Sequence, residues 1–168
     1  MCFGRYLINN NNFSQNISFF KVMAEVNVSA EIFVDAPIDT VFSFTVDPDN
    51  APKWYVNIKD IEWKSPRPLS IGTHIAFKAQ FLRKELIYVY EIKELISNKK
   101  LVMKTADGPF PMETTYLFEA FNPDRTKVIL INRGKPSGFS LLFKPFIALL
   151  MRRENAKDLV MLKLMIER

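Results

Sequence analysis

A series of short strands followed by one long apolar helix is the dominant pattern of this chain. Between residues 25 and 34, apolar side chains occupy every second position, which predicts a half-buried strand. Further strands are predicted near residues 57–64, 72–82, 84–96, 99–106, 112–122 and 125–134. The turns between them are short and rich in Pro, Gly, Asn and Asp, so neighbouring strands should pair as antiparallel hairpins.

Helices are predicted on both sides of this strand series. Pro37 suits the first turn of a helix after the first strand, and a second, shorter helix should end at Trp54. Near the C-terminus, apolar residues recur every three or four positions from Phe139 onwards, which indicates a long amphipathic helix. Pro145 interrupts it, so we expect a kink or a new helix start there. This helix should cover the apolar face of a curved sheet, and the gap beneath it would be a natural ligand site.

The composition is that of one folded domain with a bulky core. Hydrophobic residues make up 48% of the 168 residues and charged residues 24%, and there are 15 Phe, 5 Tyr and 2 Trp. We predict a single domain over residues 23–168. Residues 1–22 have no strand or helix period, so they are predicted to be a disordered or extended tail, and whether they belong to the native protein stays open.

The scarcity of reactive side chains excludes several kinds of site. Cys2 and His74 are the single cysteine and the single histidine, which excludes a disulfide framework and a His/Cys metal site. The few glycines form no phosphate-binding pattern. We therefore expect no metal and no cofactor, and we identify no catalytic residue.

Partners and location follow from charge and hydropathy. The net charge of +5 includes a tail with Arg5 and Lys21 and no acid, and it is too dispersed to predict a nucleic-acid partner. No run of about 18 apolar residues exists, so stable membrane insertion is not expected. A single cysteine fits a reducing cytoplasm. The expected partner is a hydrophobic small molecule, and the expected state is a monomer or a weak dimer.

Three segments resemble a known superfamily. They are residues 32–42 (IFVDAPIDTVF), 47–54 (DPDNAPKW) and 153–163 (RENAKDLVMLK). Together they are similar to the START-like (Bet v 1-like, helix-grip) superfamily, and within it to the polyketide cyclase/dehydrase and lipid-transport group. The resemblance implies an α+β helix-grip fold. Such a fold has a curved antiparallel sheet of about seven strands, two short helices and a long C-terminal helix over an apolar cavity. The group has no universal catalytic residue.

The predicted cavity wall combines alternate strand positions with the helix stripe. In residues 84–96, Tyr88 and Tyr90 share one face of the strand, and the charged residues Glu91 and Lys93 share the other. Because charged side chains favour solvent, the tyrosine face is predicted to point inward. The resemblance adds Trp54 near the cavity entrance. The predicted ligand-binding residues are Trp54, Phe77, Tyr88, Tyr90, Met103, Tyr116, Phe118, Phe143, Ile147 and Met151. Asn155 falls on the apolar side of the helix, where it would either bond neighbouring backbone or contact a ligand.

Three classes of function remain open. The first is non-enzymatic binding or carriage of a hydrophobic small molecule, such as a lipid, isoprenoid, quinone or polyketide-like compound. The second is a polyketide aromatase/cyclase or dehydratase, in which a tyrosine or a bound water would move protons. The third is a protein- or membrane-interaction module. Because no charged side chain is predicted inside the cavity, carriage ranks first.

Overall fold

The computed structural model describes residues 26–81, 84–108, 111–134 and 144–168. The strands are β1 (Val26–Val34), β2 (Ile58–Trp63), β3 (His74–Phe81), β4 (Lys84–Ile96), β5 (Lys100–Asp107), β6 (Met112–Asn122) and β7 (Arg125–Gly134). The helices are α1 (Ile38–Val46), α2 (Ala51–Trp54) and α3 (Lys144–Ile166), with a 3-10 turn at Pro48–Asn50. The predicted tail, residues 1–22, lies outside the described residues.

All seven strands form one antiparallel sheet in the order β1-β7-β6-β5-β4-β3-β2. β2 to β7 are therefore neighbours in chain order, as the short predicted turns require, and β1 closes the series by pairing with β7. Register shifts interrupt β2, β4 and β6, and such bulges bend and twist a strand. The curled sheet with two short helices and one long helix confirms the predicted α+β helix-grip fold.

The inner face of the sheet carries the apolar positions that the alternation predicted. Tyr90 and Ile92 on β4 are buried, whereas Ile87 on the outer face is half exposed. Glu91 and Lys93 also lie on the outer face, where Lys93 Nζ lies 2.6 Å from Glu91 Oε2. These strands share one core because their period of two keeps one face away from water.

Helix α3 packs mainly on β1 and also contacts α1, α2 and β7. Its side chains Leu159 and Leu162 are 1% and 0% exposed, while the adjacent Val160 is 48% exposed. The described part of this helix begins at Lys144, so the kink or new start expected at Pro145 falls at the edge of the described residues. Residues 139–143, which were also predicted to be helical, lie outside the described part of the chain.

Candidate ligand-binding site

A cavity of about 180 Å³ lies against the inner face of the sheet. Its described lining comes from the segment after α2 and from six consecutive strands, β2 to β7. The lining residues are Tyr55, Ile58, Phe77, Ala79, Tyr88, Tyr90, Met103, Met112, Thr114 and Asn132. A smaller void of about 20 Å³ shares Tyr55, Phe77 and Met103 with it and is also lined by Tyr116. The inner face therefore borders a partly open pocket among the described residues.

The structure brings four of the predicted ligand-binding residues together in this wall: Phe77, Tyr88, Tyr90 and Met103. The other predicted residues lie elsewhere. Tyr116 borders the smaller void, and Phe118 packs edge-on against Phe42 of α1, with ring centroids 5.2 Å apart. Met151 is half-buried on α3 and is not among the described lining. Phe143 lies outside the described residues, and so does the side chain of Ile147.

Trp54 and Tyr55 form a stacked aromatic pair beside the cavity. Their rings stack with centroids 3.9 Å apart, and Trp54 is 2% exposed, so it supports Tyr55 from behind and is not part of the described lining. The hydroxyls of Tyr55 and Tyr116 share a short hydrogen bond. Burial raises the pKa of both phenols well above their usual range, so both stay protonated at neutral pH.

Tyr88 and Tyr90 form the aromatic side of the cavity. The Tyr90 ring meets Phe77 edge-on, with centroids 5.7 Å apart, and its hydroxyl donates to Met112 Sδ at 3.8 Å. Burial raises the pKa of Tyr90 to about 12, and it also raises the pKa of the half-buried Tyr88. These phenols can donate hydrogen bonds inside the cavity, but they do not ionise at neutral pH.

A chain of uncharged polar side chains crosses from β6 to α3. Thr114 Oγ1 donates to Asn132 Oδ1 at 2.7 Å, and Asn132 Nδ2 donates to Asn155 Oδ1 at 2.8 Å. Asn155 is 4% exposed, and its Nδ2 has no hydrogen-bond partner among the described residues. From the sequence, Asn155 was expected either to bond neighbouring backbone or to contact a ligand. In the structure it bonds the side chain of Asn132. The contribution of Thr114 and Asn132 to the wall was missed, although counting in twos from Tyr116 and Leu130 reaches them.

A buried carboxyl group lies where α3 meets the segment after α2. Asp158 is 7% exposed, and its Oδ1 accepts a hydrogen bond from the backbone N–H of Val56 at 2.9 Å. Burial raises the pKa of Asp158 to about 7, with a smaller contribution from the nearby Glu154. Glu154 Oε2 also accepts from Asn57 Nδ2 at 2.8 Å. These contacts attach the segment that carries Tyr55 to α3.

A larger groove of about 710 Å³ lies among α1, the β2–β3 connection and the β4–β5 turn. Its basic side chain is already engaged, because Arg67 makes two hydrogen bonds to Asp49, of 2.5 and 3.0 Å, and lies over the Trp63 ring. Asp47 in its wall caps the 3-10 turn by accepting from Asp49 N. The groove's charged groups thus stabilise the fold, and the smaller cavity is the better candidate site.

Metal-binding and membrane-spanning features are missing from the described ranges. Within them, no three His, Cys, Asp or Glu side chains are placed to hold a metal ion. His74 is partly exposed, and its Nδ1 lies 2.9 Å from the Gly72 carbonyl oxygen. None of the described helices combines the length and the hydropathy needed to cross a membrane.

Solved structures with the same arrangement of strands and helices come from several organisms. TTHA0849 from Thermus thermophilus superposes with a TM-score of 0.74 at 19% identity, covering 83% of this chain and 96% of that one. The Zhui aromatase/cyclase from Streptomyces sp. R1128 superposes with a TM-score of 0.72 at 13% identity, and the match covers 86% of this chain and 94% of that one. A START superfamily protein from Mycobacterium smegmatis superposes with a TM-score of 0.59 at 15% identity, and the match covers 80% of this chain and 98% of that one. Such low identities show a common fold alone.

Sequence comparison narrows this relationship. A search of curated proteins found no match. The family model described as Activator of Hsp90 ATPase homolog 1-like protein matches residues 35–142, which is more than half of the chain. This range includes α1, α2 and all of the described cavity-lining residues, from Tyr55 to Asn132. The chain therefore belongs to the Activator of Hsp90 ATPase homolog 1-like family and has its START-like helix-grip fold.

Proposed function

We propose that this chain binds a compact hydrophobic small molecule in the cavity lined by Phe77, Tyr88, Tyr90 and Met103, and that it carries the molecule without altering it. The observation that carries the proposal is the cavity itself, which occupies about 180 Å³ where the inner faces of six strands converge. It is a partly open, concave pocket lined mainly by apolar and aromatic side chains, and small molecules bind proteins in pockets of this kind.

The volume limits the size of the ligand. An apolar cavity of about 150 Å³ is enough to hold benzene. A cavity of about 180 Å³ therefore suits a molecule of one or two rings, or a short branched chain, better than an extended acyl chain. Aromatic and thioether side chains in the wall offer flat, polarizable surfaces that match such a ring.

Carriage is favoured over catalysis by the protonation states in the wall. A general base works best with a pKa near the operating pH, whereas the pKa of Tyr90 is about 12 and that of Tyr88 is also raised. Asp158 has a pKa of about 7, but its carboxylate accepts from Val56 N and is not among the described lining. The Zhui aromatase/cyclase shares the fold, so cyclisation of a bound polyketide is the second candidate.

Uptake of a neutral fluorescent probe, aminonaphthalene, tests the proposal. The wild-type chain should enhance and blue-shift the emission of the probe, and small aromatic molecules should displace it. Ala79→Trp fills the cavity from β3 and should abolish uptake while the far-ultraviolet circular dichroism spectrum stays unchanged. Gln80→Trp adds the same ring at the next, exposed position and should leave uptake intact.

A folded wild-type chain that takes up no neutral aromatic probe would contradict carriage. The same holds if Ala79→Trp and Gln80→Trp bind the probe equally well, because the probe would then lie elsewhere. Native mass spectrometry of freshly purified protein adds an independent measurement, since a retained small mass identifies the ligand class directly. If the purified protein retains no small molecule and takes up no probe, the interaction-module alternative is favoured.

A further inference from the structure

We infer that Thr114 and Asn132, with Asn155 holding Asn132 in place, form a polar recognition wall that selects ligands carrying one uncharged oxygen group, a hydroxyl or a carbonyl, over hydrocarbons and over carboxylates. The inference rests on the proposed function and specifies the ligand class of the same cavity. Thr114 and Asn132 are called the polar wall, and Asn155 supports it by accepting a hydrogen bond from Asn132.

The first step is the position of the polar wall. Thr114 and Asn132 are partners in the β6–β7 register, and both side chains line the cavity. They occupy inward positions that a packed core would give to apolar residues. Burying an amide or a hydroxyl is costly unless it is paired, so polar groups at such positions need a reason beyond packing.

The second step is unused hydrogen-bonding capacity. Asn132 uses one amide hydrogen for Asn155 Oδ1, and its carbonyl oxygen accepts from Thr114 Oγ1. A side-chain amide has two donor hydrogens, and a hydroxyl oxygen can also accept. Asn155 Nδ2 is buried with no partner within the described ranges. This nitrogen is not part of the described lining, so the capacity left for a ligand is the second amide hydrogen of Asn132.

The third step is charge. The described lining contains no Asp, Glu, Lys, Arg or His. A carboxylate in this cavity would lose its hydration without gaining a counter-ion, which is strongly unfavourable. A hydroxyl both donates and accepts, so it can pair with the amides in either of their two orientations. An uncharged oxygen group is thus the chemistry that the polar wall complements.

Three near-isosteric probes separate the possibilities: p-xylene, p-cresol and p-methylbenzoate. Their affinities for the wild-type chain are measured at pH 7 by displacement of aminonaphthalene. In a purely apolar cavity, p-cresol should bind roughly tenfold or more weakly than p-xylene because its hydroxyl would be buried unpaired. With the polar wall, p-cresol should bind at least as tightly as p-xylene, and p-methylbenzoate should not bind measurably.

Substitutions assign the selectivity to the polar wall. Thr114→Val and Asn155→Leu should each lower the ratio of p-cresol to p-xylene affinity about five- to tenfold. Thr115→Val makes the same change on the outer face of β6, one position along, and should leave the ratio unchanged. A ratio of two affinities is unaffected by a general loss of stability, and Thr114→Val keeps the test valid if Asn155→Leu fails to fold.

The outcomes are distinct. Binding of p-xylene with p-cresol at least tenfold weaker would overturn the polar wall and leave the proposed function standing. A high p-cresol ratio that persists in both Thr114→Val and Asn155→Leu would also overturn it, because another group would then be responsible. Tighter binding of p-methylbenzoate than of p-cresol would contradict the argument from charge. Failure of all probes to bind would contradict the proposed function itself.

Discussion

The backbone N–H of Val56 donates to Oδ1 of Asp158 across 2.9 Å, although the two residues lie 102 positions apart in the chain. This bond attaches the segment after α2 to the long helix α3. Because Tyr55 is the preceding residue and lines the cavity, the bond also helps to hold one wall of the site. Its acceptor is a buried carboxyl group, which makes its energetics sensitive to pH.

The free energy of unfolding should fall as pH rises through the range in which Asp158 ionises. The pKa of this carboxyl is raised by burial from its ordinary 3.8 to about 7, so the folded state holds a proton that the unfolded state releases. The resulting stabilisation is fully present below pH 3.8 and is lost as pH approaches 7. Asp158→Asn keeps an acceptor for Val56 and cannot ionise.

The stability of Asp158→Asn relative to wild type should therefore be greater at pH 8 than at pH 4, by about 2–4 kcal/mol. Urea denaturation at the two pH values measures this difference, and other titrating groups cancel between the two proteins. Asp124→Asn removes one negative charge on an exposed turn and serves as the control. A difference that does not change with pH would show that Asp158 is not a buried, protonated group.

The apolar stripe of α3 should be essential for folding. Leu159→Asp places a charge where the side chain is 1% exposed, and we expect a loss of several kcal/mol or complete unfolding. Val160→Asp makes a similar change one residue along, where the side chain is 48% exposed, and should cost less than about 1 kcal/mol. Thermal unfolding monitored by circular dichroism compares the two. Equal losses would mean that α3 does not cover the core.

The Tyr55–Tyr116 hydroxyl pair should show strong energetic coupling. Removing either hydroxyl leaves the other buried without its partner, so Tyr55→Phe and Tyr116→Phe should each cost about 1–3 kcal/mol. The double variant leaves neither hydroxyl unpaired, and its loss should be clearly smaller than the sum of the single losses. A double-mutant cycle of unfolding free energies measures this coupling. Simple additivity would argue that the two hydroxyls do not interact.

Gly108 should control the width of the cavity through Tyr88. A Cβ at Gly108 would lie 2.9 Å from Cδ1 of the Tyr88 ring, so Gly108→Ala has to displace that ring. Because Tyr88 lines the cavity, we expect a several-fold loss of aminonaphthalene affinity. Gly72→Ala provides the control, because a Cβ there meets nothing within 4 Å and strains only the local backbone at φ +86°. It should lower stability and leave affinity unchanged.

Much of the fold was predictable because its elements have regular periods. The alternation in β1 and β4 identified the buried face, and Pro, Gly and Asn turns located the hairpins. The pairing of β1 with β7 is non-local, and local alternation and turn residues could not predict it. The kink or new start expected at Pro145 stays a prediction, because the residues before Lys144 lie outside the described part of the chain.

The site was predictable only in part. Alternation tells which face a residue occupies, so Phe77, Tyr88, Tyr90 and Met103 could be placed on the inner face, where they line the cavity. It does not tell which inward residues meet a void and which meet a helix, because that depends on sheet curvature. Phe118 is inward, for example, but packs on α1. Thr114 and Asn132 were missed because a polar residue in a strand suggests the solvent face. At an inward position, the same polarity marks a candidate binding residue.

The pairing of β1 with β7 also bears on how the sheet is completed. Val26–Val34 has no strand partner until Thr126–Gly134 has been made, and α3 follows later still. During synthesis, the apolar side of β1 must therefore wait uncovered while most of the chain emerges from the ribosome. Contacts between such distant segments form slowly compared with local hairpins. The strand that is made first is thus the last to find its partner in the sheet.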